Sequence, residues 1–321
     1  MTDASTQGIV GVSIRDTALR LTEVSRANRE IKVTRLAQGR ARVPLHFSSF
    51  KDASLINKFA EDINRLYEVS DFQARHAVIS LDSSLVAIKK IPVDVSLKGA
   101  RLKDHVDWEV EQCVINPVAD YSVAYEYYEP GREQENAEVV VAIVRKTVIN
   151  FVKDIFHNTD LRLRAVDVDV FAAQRVVQEN YQAPENGFIV LVDVRKENLQ
   201  ISLLKNDKFL VAQDIDYSLE DQNDAAHMDH DYLARVIFKE LRRLILDNKI
   251  GKDVEDMSAI YIYGDHVTAR MVETLQNGHH LPIERANPFL RLKTANLAGA
   301  SAWQDNPETF MTSVGAALKK L

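Results

Sequence analysis

The sequence IVGVSIRDTALRLTEV at residues 9–24 decides the fold, because a similar sequence, IVLVDVRKENLQISLL, occurs at residues 189–204. A shift of 180 positions aligns four residue pairs: Ile14 with Val194, Arg15 with Arg195, Leu19 with Leu199 and Leu21 with Ile201. In both copies, β-branched and other apolar residues form short runs or alternate with polar ones, which is typical of strands. The repeat therefore predicts two halves, each beginning with an antiparallel meander of strands.

The residues after each predicted meander have the spacing of an amphipathic helix, with apolar side chains three or four positions apart. In the first half these residues are Ile56, Phe59, Ile63 and Leu66. In the second half they are Leu233, Val236, Ile237, Leu241, Leu244 and Ile245, and a strand at Ala259–Tyr263 follows. Two α/β halves predict two lobes with a cleft between them.

A segment between the two copies, residues 77–166, has the pattern of a small α+β insert. It predicts five elements: strand Val86–Val93, helix Leu102–Val114, strand Tyr121–Tyr128, strand Glu138–Val144 and helix Val148–Phe156. We assign the remainder of the chain to the two lobes. The first lobe takes residues 1–76, 167–186 and 300–321, and the second takes residues 187–299.

Composition restricts the function. The 321 residues carry a net charge of −7, whereas a nucleic-acid-binding surface usually appears as a basic excess, so we expect no nucleic acid partner. Cys113 is the only cysteine, which predicts neither an internal disulfide nor a thiolate metal cluster. No apolar stretch approaches the roughly 18–20 residues that span a bilayer, and residues 1–8 lack the pattern of a signal peptide. We expect a cytoplasmic protein that meets a membrane only through a partner.

Three short segments resemble parts of the actin-like ATPase fold. VDVDVFAA at residues 166–173 precedes the second meander, as the first connection between the lobes does in that fold. Gly264 follows a strand where the adenosine-binding glycines usually lie, and VGAAL at residues 314–318 resembles the closing helix. The resemblance implies an α/β, actin-like (ribonuclease H-like) two-lobed fold with a small inserted α+β subdomain.

Within this superfamily, the chain resembles the PilM family of type IV pilus assembly proteins over almost its whole length. Four segments carry the resemblance: EVEQCVINP at residues 109–117, LRLRAVDVDVFAA at residues 161–173, FKELRR at residues 238–243 and PIERANPF at residues 282–289. The sequence Asn287-Pro288-Phe289 is the most specific of these. The insert occupies the same place in the chain as in PilM and in the division protein FtsA.

The resemblance also implies a set of site residues. In the actin-like fold, two turns of the pattern Asp-x-Gly hold phosphate: the Asp positions a hydrated Mg²⁺, and the Gly lets the backbone approach. The cofactor-binding positions match Asp16, Thr17 and Arg20 in the first turn, Asp193 in the second, and Gly264 at the adenosine turn. Asp169 matches the acidic residue that orients the attacking water and is the catalytic candidate.

The departures from the pattern are as informative as the matches. Ser13 and Arg15 replace the Asp and Gly of the first turn, Arg195 and Leu199 replace the Gly and Thr of the second, and Asp265 follows Gly264. The two arginines either clamp phosphate, or fill the pocket or pair with Asp16 and Asp193, and we favour the second interpretation. We therefore expect no cofactor and favour an interaction role over catalysis. Binding of ATP with magnesium is the alternative.

The function implied by the resemblance is that of a cytoplasmic scaffold in pilus assembly. In the PilM family, the protein binds the cytoplasmic tail of an inner-membrane protein, PilN, in a groove between the first lobe and the insert, and links it to the cytoplasmic motor ATPase. A working ATPase and a component of a type II secretion platform are alternatives. Our candidates for the wall of the groove are Trp108, Tyr121, Tyr125 and Tyr127.

His227 and His230 have a spacing that could ligate a metal ion. They lie in an acidic run that we interpret as an exposed loop leading into a helix. We therefore predict no metal site.

Overall fold

The computed structural model describes residues 8–27, 30–130, 136–182, 184–185, 187–216, 230–277, 279–294, 297 and 302–321. Within them the strands are β1 (Ile9–Ala27), β2 (Glu30–Leu45), β3 (His76–Leu81), β4 (Val86–Val93), β5 (Tyr121–Tyr128), β6 (Ala137–Arg145), β7 (Arg162–Val168), β8 (Phe188–Val194), β9 (Asn198–Lys205), β10 (Lys208–Asp216), β11 (Ala259–Tyr263), β12 (Ile283–Arg285) and β13 (Lys293–Thr294). The helices are α1 (Leu55–Val69), α2 (Ala100–Glu111), α3 (Lys146–His157), α4 (Asp169–Asn180), α5 (His230–Asp247), α6 (Ala269–Gln276), α7 (Ala302–Asp305) and α8 (Met311–Ala317).

The described strands form two five-stranded sheets and one three-stranded sheet. The first sheet has the order β13-β2-β1-β3-β7 and the second has the order β10-β9-β8-β11-β12. β1 pairs in parallel with β3, as β8 does with β11. The two sheets thus repeat one topology, because equivalent strands of the predicted duplication have equivalent neighbours. The predicted α/β class is confirmed.

The first meander differs from the prediction at its first turn. β1 is one continuous strand, whereas the second copy has the separate strands β8 and β9. β1 bends at Asp16, which has a positive φ of 50°. Residues 9–13 before the bend pair with β3, and residues 18–27 after it pair with β2. The two halves of β1 therefore take the places of β8 and β9. Residues 28 and 29, between β1 and β2 in the sequence, lie outside the described residues.

The elements of the insert follow the prediction closely. β4 and β5 have the predicted bounds, and they form the three-stranded sheet β4-β6-β5 with β6 in the centre. α2 begins and ends two or three residues before the predicted positions. Val106 and Val110 on one face of α2 are fully buried against this sheet. The insert therefore has a small core of its own.

The borders that we predicted for the insert lie in strands of the first sheet. Residue 77 lies in β3 and residue 166 lies in β7, and both strands belong to the first sheet. β3 pairs with β1 and β7 pairs with β3, so their backbone hydrogen bonds are satisfied there. The three-stranded sheet begins at Val86 and ends at Arg145.

Helices α4 and α8 lie between the two five-stranded sheets. Val314 of α8 shares a hydrophobic cluster with Val24 of the first sheet and Leu191 of the second. The two helices approach so closely that a Cβ atom added to Gly315 would lie 2.0 Å from the carbonyl oxygen of Ala172. A glycine at position 315 therefore allows α8 to pack directly against α4. The helices join the sheets on one side and leave a cleft between strand ends.

Candidate functional site

The carboxyl ends of several strands meet at the cleft between the two sheets. Asp82 directly follows β3, Asp169 directly follows β7, and Arg195 directly follows β8. Functional side chains of open α/β sheets gather at such strand ends. Six charged residues form what we name the cleft cluster: Arg15, Asp82, Asp169, Asp193, Arg195 and Asp214.

Arg15 connects the first sheet to the second. Its Nη1 atom donates a hydrogen bond to Oδ1 of Asp193 at 2.6 Å. Its Nη2 atom donates to Oδ2 of Asp169 at 3.3 Å. The Asp193 side chain is fully buried, and that of Asp169 is nearly so. Charged hydrogen bonds are stronger away from water, and both carboxylate partners of Arg15 are buried, so Arg15 is a strong link between the two sheets.

Arg195 makes further bonds to the same carboxylates. Its Nε atom lies 3.0 Å from Oδ2 of Asp193, and its Nη2 atom lies 2.9 Å from Oδ2 of Asp169. Its Nη1 atom donates to Oδ1 of Asp82 in the first half of the chain at 3.1 Å and to Oδ1 of Asp214 at 3.4 Å. Both arginines thus donate hydrogen bonds to Asp169 and Asp193, the two most deeply buried carboxylates of the cluster. Pairing of an arginine with Asp193, which we favoured from the sequence, is confirmed; the pairing of Arg15 with Asp16 is replaced by bonds to Asp169 and Asp193.

Of the six residues in the cleft cluster, four carry carboxylates and two carry guanidinium groups, so negative charge is in excess. Burial raises the pKa of Asp169 to about 7, although Arg195 acts in the opposite direction. Burial likewise raises the pKa of Asp214. The pKa of Asp82 is lowered, because Arg195 and Arg15 outweigh the effect of burial. Burial of Asp169 therefore favours its neutral form more than exposure to water would.

A second contact between the sheets lies beside the cluster. Arg20 of β1 pairs with Asp265, which follows β11. The preceding residue, Gly264, has a positive φ of 115°. A Cβ atom at this position would lie 2.4 Å from the carbonyl oxygen of Val194, and 2.7 Å from Oδ1 of Asp193. Glycine is therefore required at position 264, because this turn packs directly against the end of β8.

These residues do not fit a magnesium-bound nucleotide in the manner of the actin-like fold. In that role, a carboxylate must be free to hold the water shell of the metal ion. Here both oxygens of Asp193 accept hydrogen bonds from arginines, and Oδ2 of Asp169 accepts two. In the described residues, no group of three histidine, cysteine or acidic side chains has metal-site geometry. His227 lies outside those residues, as does the side chain of His230.

The structure brings together four of the six cofactor and catalytic positions predicted from the sequence. Asp169 and Asp193 lie in the cluster, and Arg20 and Gly264 lie beside it. Asp16 is exposed at the bend of β1, and Thr17 is half-buried next to it. Within the described contacts neither joins the cluster, because the bend turns this part of β1 towards solvent.

Asp82 and Asp214 were not predicted from the sequence, and neither were two neutral partners. Ser83 receives a hydrogen bond from Arg195 at 3.3 Å, and Gln200 also donates to its hydroxyl group. Gln200 donates to Asp214 at 3.0 Å. Asp82 had a usable signal, because it directly follows the apolar strand AVISL at residues 77–81.

The residues that we predicted for the partner surface separate into two groups. Tyr121 and Tyr127 are half-buried and pack against the core of the insert. Trp108 of α2 and Tyr125 of β5 are exposed, at 55% and 41% of their full surface. Ile115, which follows α2, is 97% exposed. The insert therefore presents large apolar side chains to solvent.

The comparison with protein families agrees with this architecture. The family model described as "Type IV pilus assembly protein PilM" matches residues 11–224. The chain belongs to the PilM family. Its role is therefore in type IV pilus assembly, and the family match favours this role over a type II secretion platform. No match was found among curated protein sequences.

Solved structures show the same fold as this PilM-family chain. One is entitled "PilM-PilN type IV pilus biogenesis complex"; it matches with a TM-score of 0.72 and 20% identity, over 97% of both chains. Another, from Bacteroides thetaiotaomicron, is described as a protein with an actin-like ATPase fold and unknown function. It matches with a TM-score of 0.50 and 12% identity, over 99% of this chain and 100% of the other. The predicted actin-like fold is confirmed.

No helix in the described residues is both long enough and apolar enough to cross a bilayer.

Proposed function

We propose that this PilM-family protein is a scaffold of the pilus assembly complex that binds the cytoplasmic tail of a PilN-like membrane protein without using ATP. The observation that carries the proposal is the pair of arginines in the cleft. Arg15 and Arg195 satisfy the two deepest carboxylates from opposite halves of the chain. The cleft is already bridged by the protein's own side chains, so the lobes do not need a nucleotide to hold them together.

The energetics of buried ion pairs support this interpretation. A buried carboxylate loses its hydration and depends on its partners, so removal of one partner typically costs about 3–5 kcal/mol. A nucleotide that entered the cleft would have to displace guanidinium groups from Asp169 and Asp193 and add phosphate charge. The cleft cluster therefore opposes binding of Mg-ATP and keeps the two lobes in one relative position.

The partner is proposed from the family and from the exposed surface of the insert. A related chain, 20% identical, was solved in a complex entitled "PilM-PilN". In this chain, Trp108 and Tyr125 are exposed on the insert, and exposed aromatic residues are enriched at protein interfaces. We propose that they contact the tail, that the protein is cytoplasmic and that the tail holds it at the inner membrane. Contact with the cytoplasmic motor ATPase completes the proposed scaffold.

The test is binding of a peptide from the membrane protein encoded beside this chain. The peptide is titrated into the purified full chain by calorimetry, in buffer alone and with millimolar Mg-ATP. We expect the same affinity in both conditions. Binding that requires Mg-ATP would overturn the nucleotide-independent scaffold, and absence of binding in both conditions would overturn the proposed partner.

A nucleotide-binding role is the second candidate, and one observation favours it. Gly264 keeps its positive φ and its close contact with Asp193, as a turn that faces a nucleotide requires. The contact also has a purely structural explanation, because the turn packs against β8. Equilibrium dialysis with radiolabelled ATP distinguishes a nucleotide-binding turn from a structural one. A nucleotide site would give saturable binding that depends on magnesium.

A further inference from the structure

A groove of about 580 Å³ runs along β7, on the side of the first sheet opposite β13. Five consecutive residues of β7, 162–166, line it. Successive side chains of a strand point to opposite faces, so five in a row can line one groove only if the groove follows the edge of the strand. β7 is the last strand in the order of its sheet. The groove therefore exposes the strand edge, where alternate backbone groups lack a pairing strand within the described part of the chain.

The floor of the groove is apolar. Phe156 of α3 and Leu161 are almost completely buried, and Leu163 and Val166 of β7 are partly buried against the same core. All four line the groove. Apolar side chains of a ligand could thus be buried on this floor while its backbone pairs with β7.

The rim of the groove is basic. Lys153, Arg162 and Arg164 line it and are exposed. Within the described part of the chain, their side chains form neither ion pairs nor hydrogen bonds, and the described lining contains no carboxylate. This concentration of positive charge lies in a chain whose net charge is −7. The rim is therefore a local positive field that attracts negatively charged ligands.

We propose that an extended acidic segment of a partner protein adds to β7 as a sixth strand of the first sheet. Backbone hydrogen bonds to an exposed edge would give affinity, and side chains on alternate positions would give specificity. Acidic side chains of the segment would face Lys153, Arg162 and Arg164, and apolar ones would contact the floor. A second copy of this chain is disfavoured, because pairing β7 with itself would bring like charges together.

This surface is separate from the one proposed for the membrane partner's tail. Trp108 and Tyr125 lie on α2 and β5 of the insert, whereas the groove is formed by α3 and β7. The proposal therefore adds a second binding surface to the scaffold, and its failure would leave the first surface untouched.

The first test uses a fluorescent peptide in which glutamate and valine alternate, with blocked ends, and a matched peptide with lysine in place of glutamate. Anisotropy titration of the full chain is expected to show binding of the glutamate peptide only. Arg164→Glu should weaken binding by more than about tenfold, because attraction becomes repulsion. Arg270→Glu is the matched control: Arg270 is an exposed cation of α6 without an ion pair in the described residues, and its reversal should change nothing.

The second test isolates strand addition. Two versions of the glutamate peptide are N-methylated at alternate residues. One version carries the methyl groups on odd-numbered residues and the other on even-numbered residues. Each version therefore lacks the backbone N–H donors along one edge of the extended peptide. We expect one version to lose binding and the other to keep it, and the unmodified peptide to slow hydrogen exchange within residues 162–166. Equal binding by both versions, or by the lysine peptide, would overturn the proposal. Absence of binding would also overturn the proposal. So would displacement of the peptide by a single-stranded oligonucleotide or by anionic vesicles, if binding of that competitor depends on Arg164 in the same way.

Discussion

The guanidinium group of Arg15 lies 2.6 Å from the carboxylate of Asp193, although 178 positions separate the two residues in the chain. Arg15 lies at the bend of β1 and Asp193 lies near the end of β8, so the bond joins the first sheet to the second. In the resembled fold, the corresponding turns face each other across phosphate and magnesium. In this chain, the side chain of Arg15 connects the two turns directly.

Loss of Arg195 should destabilise the protein strongly. Arg195→Ala leaves Asp82, Asp169 and Asp193 with fewer cationic partners in a buried cleft, and the free energy of unfolding should fall by about 3–5 kcal/mol. Urea denaturation measures the change. Arg270→Ala, which removes an exposed cation, should stay within about 0.5 kcal/mol of the unchanged chain. A loss below about 1 kcal/mol for Arg195→Ala would mean that the cluster does not hold the lobes.

The contribution of Asp169 to stability should fall as pH rises from about 4 to about 7. Asp169 has a pKa of about 7 in the folded chain, because it is buried, and about 3.9 when unfolded. Its folded form therefore binds a proton more tightly, and the resulting stabilisation is complete below about pH 4 and is lost as pH approaches 7. The contribution of Asp169 should therefore have a negative slope against pH over this range. Asp169→Asn should remove this slope in urea unfolding at several pH values, and an unchanged slope would contradict the assignment.

The close packing of α8 gives a prediction with an internal control. Gly315→Ala places a methyl group 2.0 Å from the carbonyl oxygen of Ala172, so the helices must separate, at a cost of about 1–3 kcal/mol or more. Gly39→Ala places a methyl group 3.4 Å from a side-chain carbon of Leu66, which is an ordinary van der Waals distance. Thermal unfolding should show a lower midpoint for the first variant only. Equal midpoints would show that α8 can move away from α4 freely.

The sequence predicted the parts of this fold that depend on local pattern. The bounds of β4, β5 and β11 were predictable, because alternation and turn residues mark them within the strands themselves. The continuous β1 was not, since the sequence pattern on the two sides of Asp16 indicates two separate strands. Asp169 and Asp193 came from the resemblance. The contact of Asp82 and Asp214 with Arg195 depends on how the sheets face each other, and no spacing in the chain encodes that.

The aromatic surface of the insert should matter for binding and not for stability. Trp108→Ser and Tyr125→Ser remove exposed side chains, so unfolding free energies should change by no more than about 0.5 kcal/mol. Affinity for the tail peptide should fall more than about tenfold in calorimetry, since aromatic residues dominate interface energetics. Leu246→Ser, at an exposed apolar residue of α5, is the control and should bind normally. Normal binding by both aromatic variants would move the tail to another surface.

Whether arginines rather than Mg-ATP bridge the cleft can be measured by the thermal unfolding midpoint with and without millimolar Mg-ATP. A ligand at about 100 times its dissociation constant stabilises a protein by about 2.7 kcal/mol. For domains of about 150–250 residues, this corresponds to a rise of about 5–10 °C. We predict no rise, with an ATP-binding actin-like protein measured in parallel as the positive control. A magnesium-dependent rise that Asp193→Asn abolishes would contradict the account.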